Sequence, residues 1–482
     1  MPPRPPVFSW LMPSVLWRSR NDIVARWFGD PVDGLRDRWV ARQLEQGVDP
    51  DFVIPHAQDA FSFMLLGDTG EGEAPQYAVV PGAMKIGQGT DFMVIASDVI
   101  YPVGSVNDYP EKFFRPYQSY PQPIYAVPGN HDWYDGNFGF MRIFCGAPRP
   151  LPVGVGSGSP WRGIVAPVAR LLWRRPDQPD EAALAAAEAL RSEPSQKGAQ
   201  PGSYWAIDSP SLRIVGIDTG IRGDLDRAQG EWLRRVSAGP KPKLLVTGKP
   251  LYVDDAHHPG DIQGGGTVDA VVTDPANNYV AAIGGDIHNF QHYPVKVGDR
   301  TLQYIVSGGG GAFMHATHTI PKTTVIDEED FKCYPLRGDS LAFYSRVYAR
   351  RLHAPWLFEL TPEQAAAAVE HRLGIQPRRA EERGIKPSLR ARFVAFVLGV
   401  PGRGPGRRST RWLRLPVRRA YVRVFSSSSA SNTPPFFKSF LRLDVSPREL
   451  RIRCYAATGC LEHELDPPLE NEILIPLEPR PA

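Results

Sequence analysis

The sequence predicts an α/β fold, and three observations carry that expectation. Apolar runs of strand length recur along the first two thirds of the chain. Nearly every run ends at once in Gly, Asp, Asn, Ser or His, the side chains of turns and ligand sites. Helix-type segments with recognisable start signals separate several of them. Residues 61–66 lead to Gly67-Asp68-Thr69-Gly70, and 92–96 to Ser97-Asp98-Val99-Ile100-Tyr101. Residues 124–127 lead to Pro128-Gly129-Asn130-His131-Asp132. Residues 212–217 form the next expected strand, ending in Asp218, which serves as a supporting acid or as a turn at the strand end. A helix is expected from Asp224, with Trp232 and Leu233 facing inward. Residues 244–246 lead to Thr247-Gly248-Lys249-Pro250, and 280–283 to Gly284-Gly285-Asp286-Ile287-His288. Residues 302–306 end in Ser307 and Gly308 to Gly311.

That arrangement collects chemistry at one end of a sheet. In open α/β sheets, ligands bind beyond the carboxyl ends of the strands. Candidate ligands stand at that end of at least four runs here. Asp carboxylates and the Asn carbonyl suit hard divalent cations. His131, beside Asn130, can donate a proton to a leaving oxygen. The glycines let the backbone turn sharply and approach a metal or phosphate.

In this order the blocks resemble the calcineurin-like metallophosphoesterase superfamily, in its purple-acid-phosphatase-type variant. That variant carries Asp-x-Gly, Gly-Asp-x-x-Tyr, Gly-Asn-His-acid, Val-x-x-His and Gly-His-x-His. The counterparts are Asp68-Thr69-Gly70, Asp98 to Tyr101, Gly129 to Asp132, Val246 to Lys249 and Gly285 to His288, over roughly residues 58–315. The last two blocks depart from the pattern at one ligand position each. The resemblance implies a four-layer sandwich, two mixed β-sheets face to face with helices outside. It implies two metal ions sharing Asp98, of which the first is held by Asp68, Asp98, Tyr101 and His288. Many relatives have His where Gly70 stands, so Tyr101 supplies the replacement donor, and a phenolate favours Fe(III) there. Mn or Zn would fill the second site, with Asn130 and Asp286 as further ligands. Lys249 stands where a second His is expected, and an ammonium has no acceptor. It therefore contacts substrate phosphate, or gives up its place to His257 or His258, or leaves the second site weak.

The implied chemistry is hydrolysis of a phosphate ester by a metal-bound hydroxide. His131 would be the general acid, Asp132 would orient His131 or its loop, and Gly308 to Gly311 with His315 and His318 would line the phosphate pocket. The alternative is a catalytically reduced relative that binds a phosphorylated ligand or partner. No segment resembles a Gly-x-x-x-x-Gly-Lys-[Ser/Thr] phosphate loop, which disfavours NTP-driven work.

The chain organises into an N-terminal extension (1–57), a catalytic core (58–340) with an insertion (146–202), a helical and Arg-rich region with linker (341–435), and C-terminal strands (436–482). The insertion holds one Ala-rich helix, 181–191. Thr361-Pro362-Glu363-Gln364 reads as a capping box that starts a helix running to Leu373. Residues 371–425 carry fourteen arginines against Glu381 and Glu382, followed by the Ser426 to Ser429 linker. Interleaved Phe393, Phe396, Trp412 and Tyr421 leave peripheral membrane contact open beside a solvated surface. Strands are expected over 439–445, 449–455 and 471–477, packing on the core.

Composition agrees with a globular enzyme. Of 482 residues, 42% are hydrophobic and 22% charged, and the net charge of +3 gives no global attraction to nucleic acid. The expected partner is a phosphorylated small molecule or lipid. Cys145, Cys333, Cys454 and Cys460 make no Cys-x-x-Cys pair and read as reduced thiols. The segment 7–17 is broken by Pro13 and lacks the features of a signal peptide, and no apolar run is long enough to span a membrane. The cytoplasm is the expected location.

Overall fold

A computed structural model describes residues 13–154, 160–163, 165–191, 199–403, 415 and 434–477. Its strands are β1 (Val53–Pro55), β2 (Phe61–Leu66), β3 (Phe92–Ala96), β4 (Ile124–Val127), β5 (Trp205–Asp208), β6 (Arg213–Ile217), β7 (Lys243–Thr247), β8 (Tyr252–Val253), β9 (Ala256–His257), β10 (Tyr279–Gly284), β11 (Phe290–Val297), β12 (Arg300–Ser307), β13 (Lys332–Tyr334), β14 (Lys438–Val445), β15 (Glu449–Ala457) and β16 (Leu469–Pro476). One sheet has the order β16-β15-β14-β2-β3-β4, the other β1-β5-β6-β7-β10-β12-β11-β13, and β8 and β9 form a separate hairpin. Both large sheets are mixed. In the first, β2, β3 and β4 are parallel while β14 joins β2 antiparallel. In the second, β6, β7, β10 and β12 are parallel.

The alternation of side chains along each strand divides the core. Phe61, Phe63 and Leu65 of β2, with Val94 and Ala96 of β3, face Leu244, Val246, Ile283 and Ile305 of the other sheet. The intervening Met64, Leu66, Met93 and Ile95 face helices on the outer side, including Val79 and Ala83 of Ala74–Ile86. On the outer side of the second sheet, Val215, Ile217 and Leu245 meet Trp232 and Leu233 of Arg227–Ser237. The four-layer sandwich is therefore present, with its parallel strands buried on both faces.

Several boundaries shift for local reasons. The helix expected from Asp224 begins at Arg227, because the Asp226 carboxylate accepts the Gln229 N–H at 2.8 Å as its cap. The Ala-rich helix spans Glu181–Glu188, capped by Asp180. Helix Pro362–Leu373 starts at its Thr361 cap and stops at Gly374, whose φ of +70° ends it. It packs with Arg337–Arg351 and Leu389–Val397 into a helical cluster around Leu341, Val369 and Val394. The linker Ser426 to Ser429, Trp412 and Tyr421 lie outside the described residues. No helix among the described residues is long and apolar enough to cross a membrane, and the four cysteines are unpaired.

Candidate metal centre

Three backbone turns set the site. Asp68, Asp98 and Asp286 follow β2, β3 and β10, with φ of +57°, +35° and +64°. A non-glycine residue in the left-handed region costs roughly 1–3 kcal/mol and persists only where its surroundings hold it. Here each turn swings a carboxylate off the end of a strand and toward the others. The glycines beside them leave no space for a side chain. A Cβ on Gly129 would lie 2.1 Å from Asp98 Oδ1, and one on Gly308 would lie 2.6 Å from Asp68 Oδ2.

The Tyr101 hydroxyl sits at the centre. Its oxygen is 3.0 Å from Asp68 Oδ1, 2.9 Å from Asp98 Oδ2 and 3.0 Å from His288 Nε2. His288 Nε2 lies 3.6 Å from Asp68 Oδ1. Ligands about 2.1 Å from a hard cation and at right angles to one another stand about 3 Å apart, so these four donors have the spacing of one coordination shell. Among the described residues, His, Cys, Asp and Glu side chains alone form no group of three that could hold an ion. The phenol oxygen is what joins the two carboxylates and the imidazole into a set.

Electrostatics points the same way. Burial, then Asp98 and Asp286, push the Asp68 carboxyl well above its ordinary value. Burial, then Asp132 and Asp286, do the same to Asp98. Burial, then Asp68 and Asp98, raise the Tyr101 phenol. Asp68 Oδ2 is buried without a hydrogen-bond partner. A buried cluster of acidic groups that oppose one another's ionisation is what a multivalent cation relieves. The donor set fits a metal.

Gly70 explains the missing imidazole. A Cβ there would be 1.8 Å from the Val99 carbonyl oxygen, so no side chain fits at that position. The loop 98–101 closes over Gly70 instead, with the Tyr101 N–H donating to the Gly70 carbonyl at 2.9 Å.

The Asn130–Trp133 helix carries the next group. Asn130 Nδ2 donates to Tyr134 Oη at 2.8 Å, which leaves the amide oxygen as its acceptor. His131 is buried, and its Nδ1 lies 2.8 Å from the Pro102 carbonyl. A carbonyl can only accept, so Nδ1 carries the proton and Nε2 is the working nitrogen. Asp132 holds the adjoining loop. Its carboxylate accepts from Val99 N at 2.9 Å, Ile100 N at 3.2 Å and Gly129 N at 3.0 Å, pinning the 98–101 loop to the Gly129 turn. Burial pushes it up to about 7 despite those three donors.

Lys249 follows β7. It lines a cavity of about 370 Å³ together with Asp286, His258 and Arg222. Its Nζ donates to the Ile221 carbonyl at 2.8 Å. His258 shares that cavity, whereas His257 pairs with Asp269 at 2.9 Å on the surface. His318 does not reach the phosphate pocket. It is buried in the helical cluster, 2.9 Å from Ser340 Oγ and 3.0 Å from the Leu398 carbonyl. His315 stacks on His288 with ring centroids 4.2 Å apart, and its Nδ1 accepts the His288 N–H.

Two further residues have a part here, Asp218, expected as a supporting acid or a turn, and Lys438, which had no signal in the sequence. Asp218 is buried and bridges Arg36 to the Trp133 indole, whose N–H donates to it at 2.8 Å. Lys438, on β14, is buried and donates to the Ala312 carbonyl. Burial lowers its ammonium to about 8, against the opposing pull of Glu71 and Asp68. Tyr134 was also within reach of sequence reasoning, since a residue four after Asn130 shares its helical face.

The two-sheet sandwich brings acids, an Asn-His pair and a Tyr together at the ends of parallel strands. Residues 61–170 match the family profile described as calcineurin-like phosphoesterase. No curated protein matches the chain in sequence. Solved structures similar to it include the purple acid phosphatase PPD1 from yellow lupin (Lupinus luteus) seeds, at 11% identity and a TM-score of 0.40, covering 87% of this chain and 54% of that one. PhoD matches at 10% identity and a TM-score of 0.38, covering 88% and 71%. GAP50, the anchor in the inner membrane complex of Plasmodium, matches at 12% identity and 0.32, covering 57% and 77%. The chain thus spans about half the length of the lupin structure, 54%.

Proposed function

We propose that the chain hydrolyses phosphate esters at a metal centre built on Asp68, Asp98, Tyr101 and His288. The observation that carries this reading is the Tyr101 oxygen, about equidistant from the other three donors at 2.9–3.0 Å. Phenolate among carboxylates favours Fe(III) in this site. Asp98, Asn130 and Asp286 are the donors for a second divalent ion such as Mn or Zn. When bound, such ions acidify water and neutralise charge on phosphoryl oxygens.

The chain's own groups supply the rest. His131, its ring fixed by the Pro102 carbonyl, delivers a proton to the leaving oxygen. The cavity of about 370 Å³ beside Asp286 receives the organic part of a small substrate or a lipid headgroup. Lys249 and Arg222 at its wall attract the phosphate. Lys249 in place of a second imidazole makes the second ion the weaker one, and this is the observation behind the alternative of a reduced, phosphate-binding relative.

The test is hydrolysis of an aryl phosphate with Mn, Fe or Zn supplied, together with the metal content of the purified chain. Activity should vanish on chelation and in Asp98→Ala. His131→Ala should lower kcat roughly 10²–10⁴-fold with metal retained, and less for good leaving groups. Oxidised, iron-loaded protein should be coloured, and Tyr101→Phe should bleach it. Bound metal without turnover of any phosphate ester would favour the phosphate-binding relative. Activity that survives exhaustive chelation would sink the metal mechanism.

A further inference from the structure

Two short helices on the outer layer carry their large apolar side chains on the wrong side. Helix Val165–Leu172 buries Ala166 and Ala169 and exposes Val165, Val168 and Leu171, the last with 82% of its surface open. That is the reverse of the pattern for a helix packed on a core, where the large apolar face points inward. Helix Asn21–Phe28 buries Val24 and Ala25 while exposing Ile23 and Trp27, the latter 76% open. Leu16 and Trp17 of the preceding helix Pro13–Arg18 are exposed as well.

Hydrogen bonds tie these two helices together. The Asn21 side chain takes the Arg174 N–H at 2.6 Å and donates back to the Arg174 carbonyl at 3.1 Å. Arg20 Nε donates to the Leu172 carbonyl at 2.6 Å, and Trp161 Nε1 to the Gly29 carbonyl at 2.9 Å. The flanking charge is mostly positive. Over the described residues of 13–28 and 160–175 there are seven arginines and one acid, Asp22, which pairs with Arg26 at 3.0 Å, while Arg18 and Arg174 pair with Asp177 beyond these segments. Arg26, Arg162, Arg170 and Arg175 are exposed.

We propose that this face docks on an anionic membrane surface. Exposed Trp, Leu and Val rimmed by Arg, with no free acid among them, match the acyl boundary and the phosphate level of such a surface. A protein partner with a small apolar groove would need no ring of arginines. The residues of this surface lie outside 371–425 in the sequence, and the proposal does not depend on the metal centre.

Flotation of the full chain with phosphatidylcholine vesicles, with and without phosphatidylglycerol, tests it. The chain should float with the anionic vesicles, less so as salt rises, and should stay behind with neutral ones. Trp27→Ser/Leu171→Ser should bind at least about tenfold more weakly, since two apolar side chains no longer leave water. Arg162→Gln/Arg175→Gln should also lose at least about tenfold, an effect that needs no change in the apolar face. Unfolding midpoints and aryl phosphatase activity should be unchanged in both. Absent flotation of the intact chain overturns the proposal. So does undiminished flotation of the Trp27/Leu171 variant, or loss only in Trp356→Ser/Leu389→Ser on the helical cluster. Concentration-dependent dimerisation of the intact chain, abolished by Trp27→Ser/Leu171→Ser without vesicles present, would assign the face to a second copy.

Discussion

Replacing Arg36 with Met should strip the metal turn of a distant support. Arg36 lies on helix Val32–Glu45 and is fully buried. It grips Asp218 with two N–H groups, at 3.1 and 3.2 Å, and Asp226 at 2.5 Å. Asp218 in turn takes the Trp133 indole N–H at the end of the Asn130–Trp133 helix. Without the guanidinium, two buried carboxylates lose their counter-charge. Breaking a buried pair by removing one partner costs about 3–5 kcal/mol, and packing by the Met stem recovers little of it. Urea unfolding of the full chain should show that loss. The decisive comparison is Arg36→Met/Asp218→Asn, which removes one of the two stranded charges. It should be more stable than Arg36→Met alone, a coupling of about 1–3 kcal/mol. A cost below about 1 kcal/mol for Arg36→Met would refute the reasoning, because a solvated pair is worth no more than that. So would strict additivity of the two substitutions.

Two further predictions concern sterics and acid. Gly70→Ala should lower stability by about 3 kcal/mol and reduce metal content, since its Cβ would meet the Val99 carbonyl at 1.8 Å in a loop that Asp132 holds in place; a variant with parental unfolding and metal content would remove the steric account of the missing imidazole. Burial lowers the His318 imidazole to about 4 from its ordinary 6.5, so between those values the unfolded chain binds more protons. Its contribution is complete above pH 6.5 and is lost as pH falls toward 4, by at most about 3 kcal/mol. His292, also lowered to about 4 by burial, acts in the same direction. Urea titrations across that window should therefore show a shallower acid loss in His318→Gln than in the parent, and an identical loss would contradict the burial argument.

The sequence by itself determined what local chemistry can specify. The order of strand ends with Asp68, Asp98, the Gly129 to Asp132 turn and Asp286-x-His288 was legible because each block is contiguous and each strand is a short apolar run. Thr361 was legible as a cap because its partner, the Gln364 N–H, is three residues away. The added C-terminal strands were legible from alternation, though their ladder onto β2 was not.

Only the tertiary structure decided which groups meet. Asp132 serves the 98–101 loop, because the backbone N–H groups of Val99 and Ile100 come to it from another strand end. His318 looked like a pocket residue by its nearness to Gly308 to Gly311, yet the chain turns away and buries it under Leu398. Arg36 finds Asp218 across 182 positions, and Lys438 reaches the Ala312 carbonyl across 126. A buried charge pair leaves no periodic trace, since each partner is a single residue and the sheet order alone brings the two together. Gly70 shows the same limit at short range. A glycine in place of a ligand reads as a loss, and only the Val99 carbonyl lying where its Cβ would be shows that the position had no room for one.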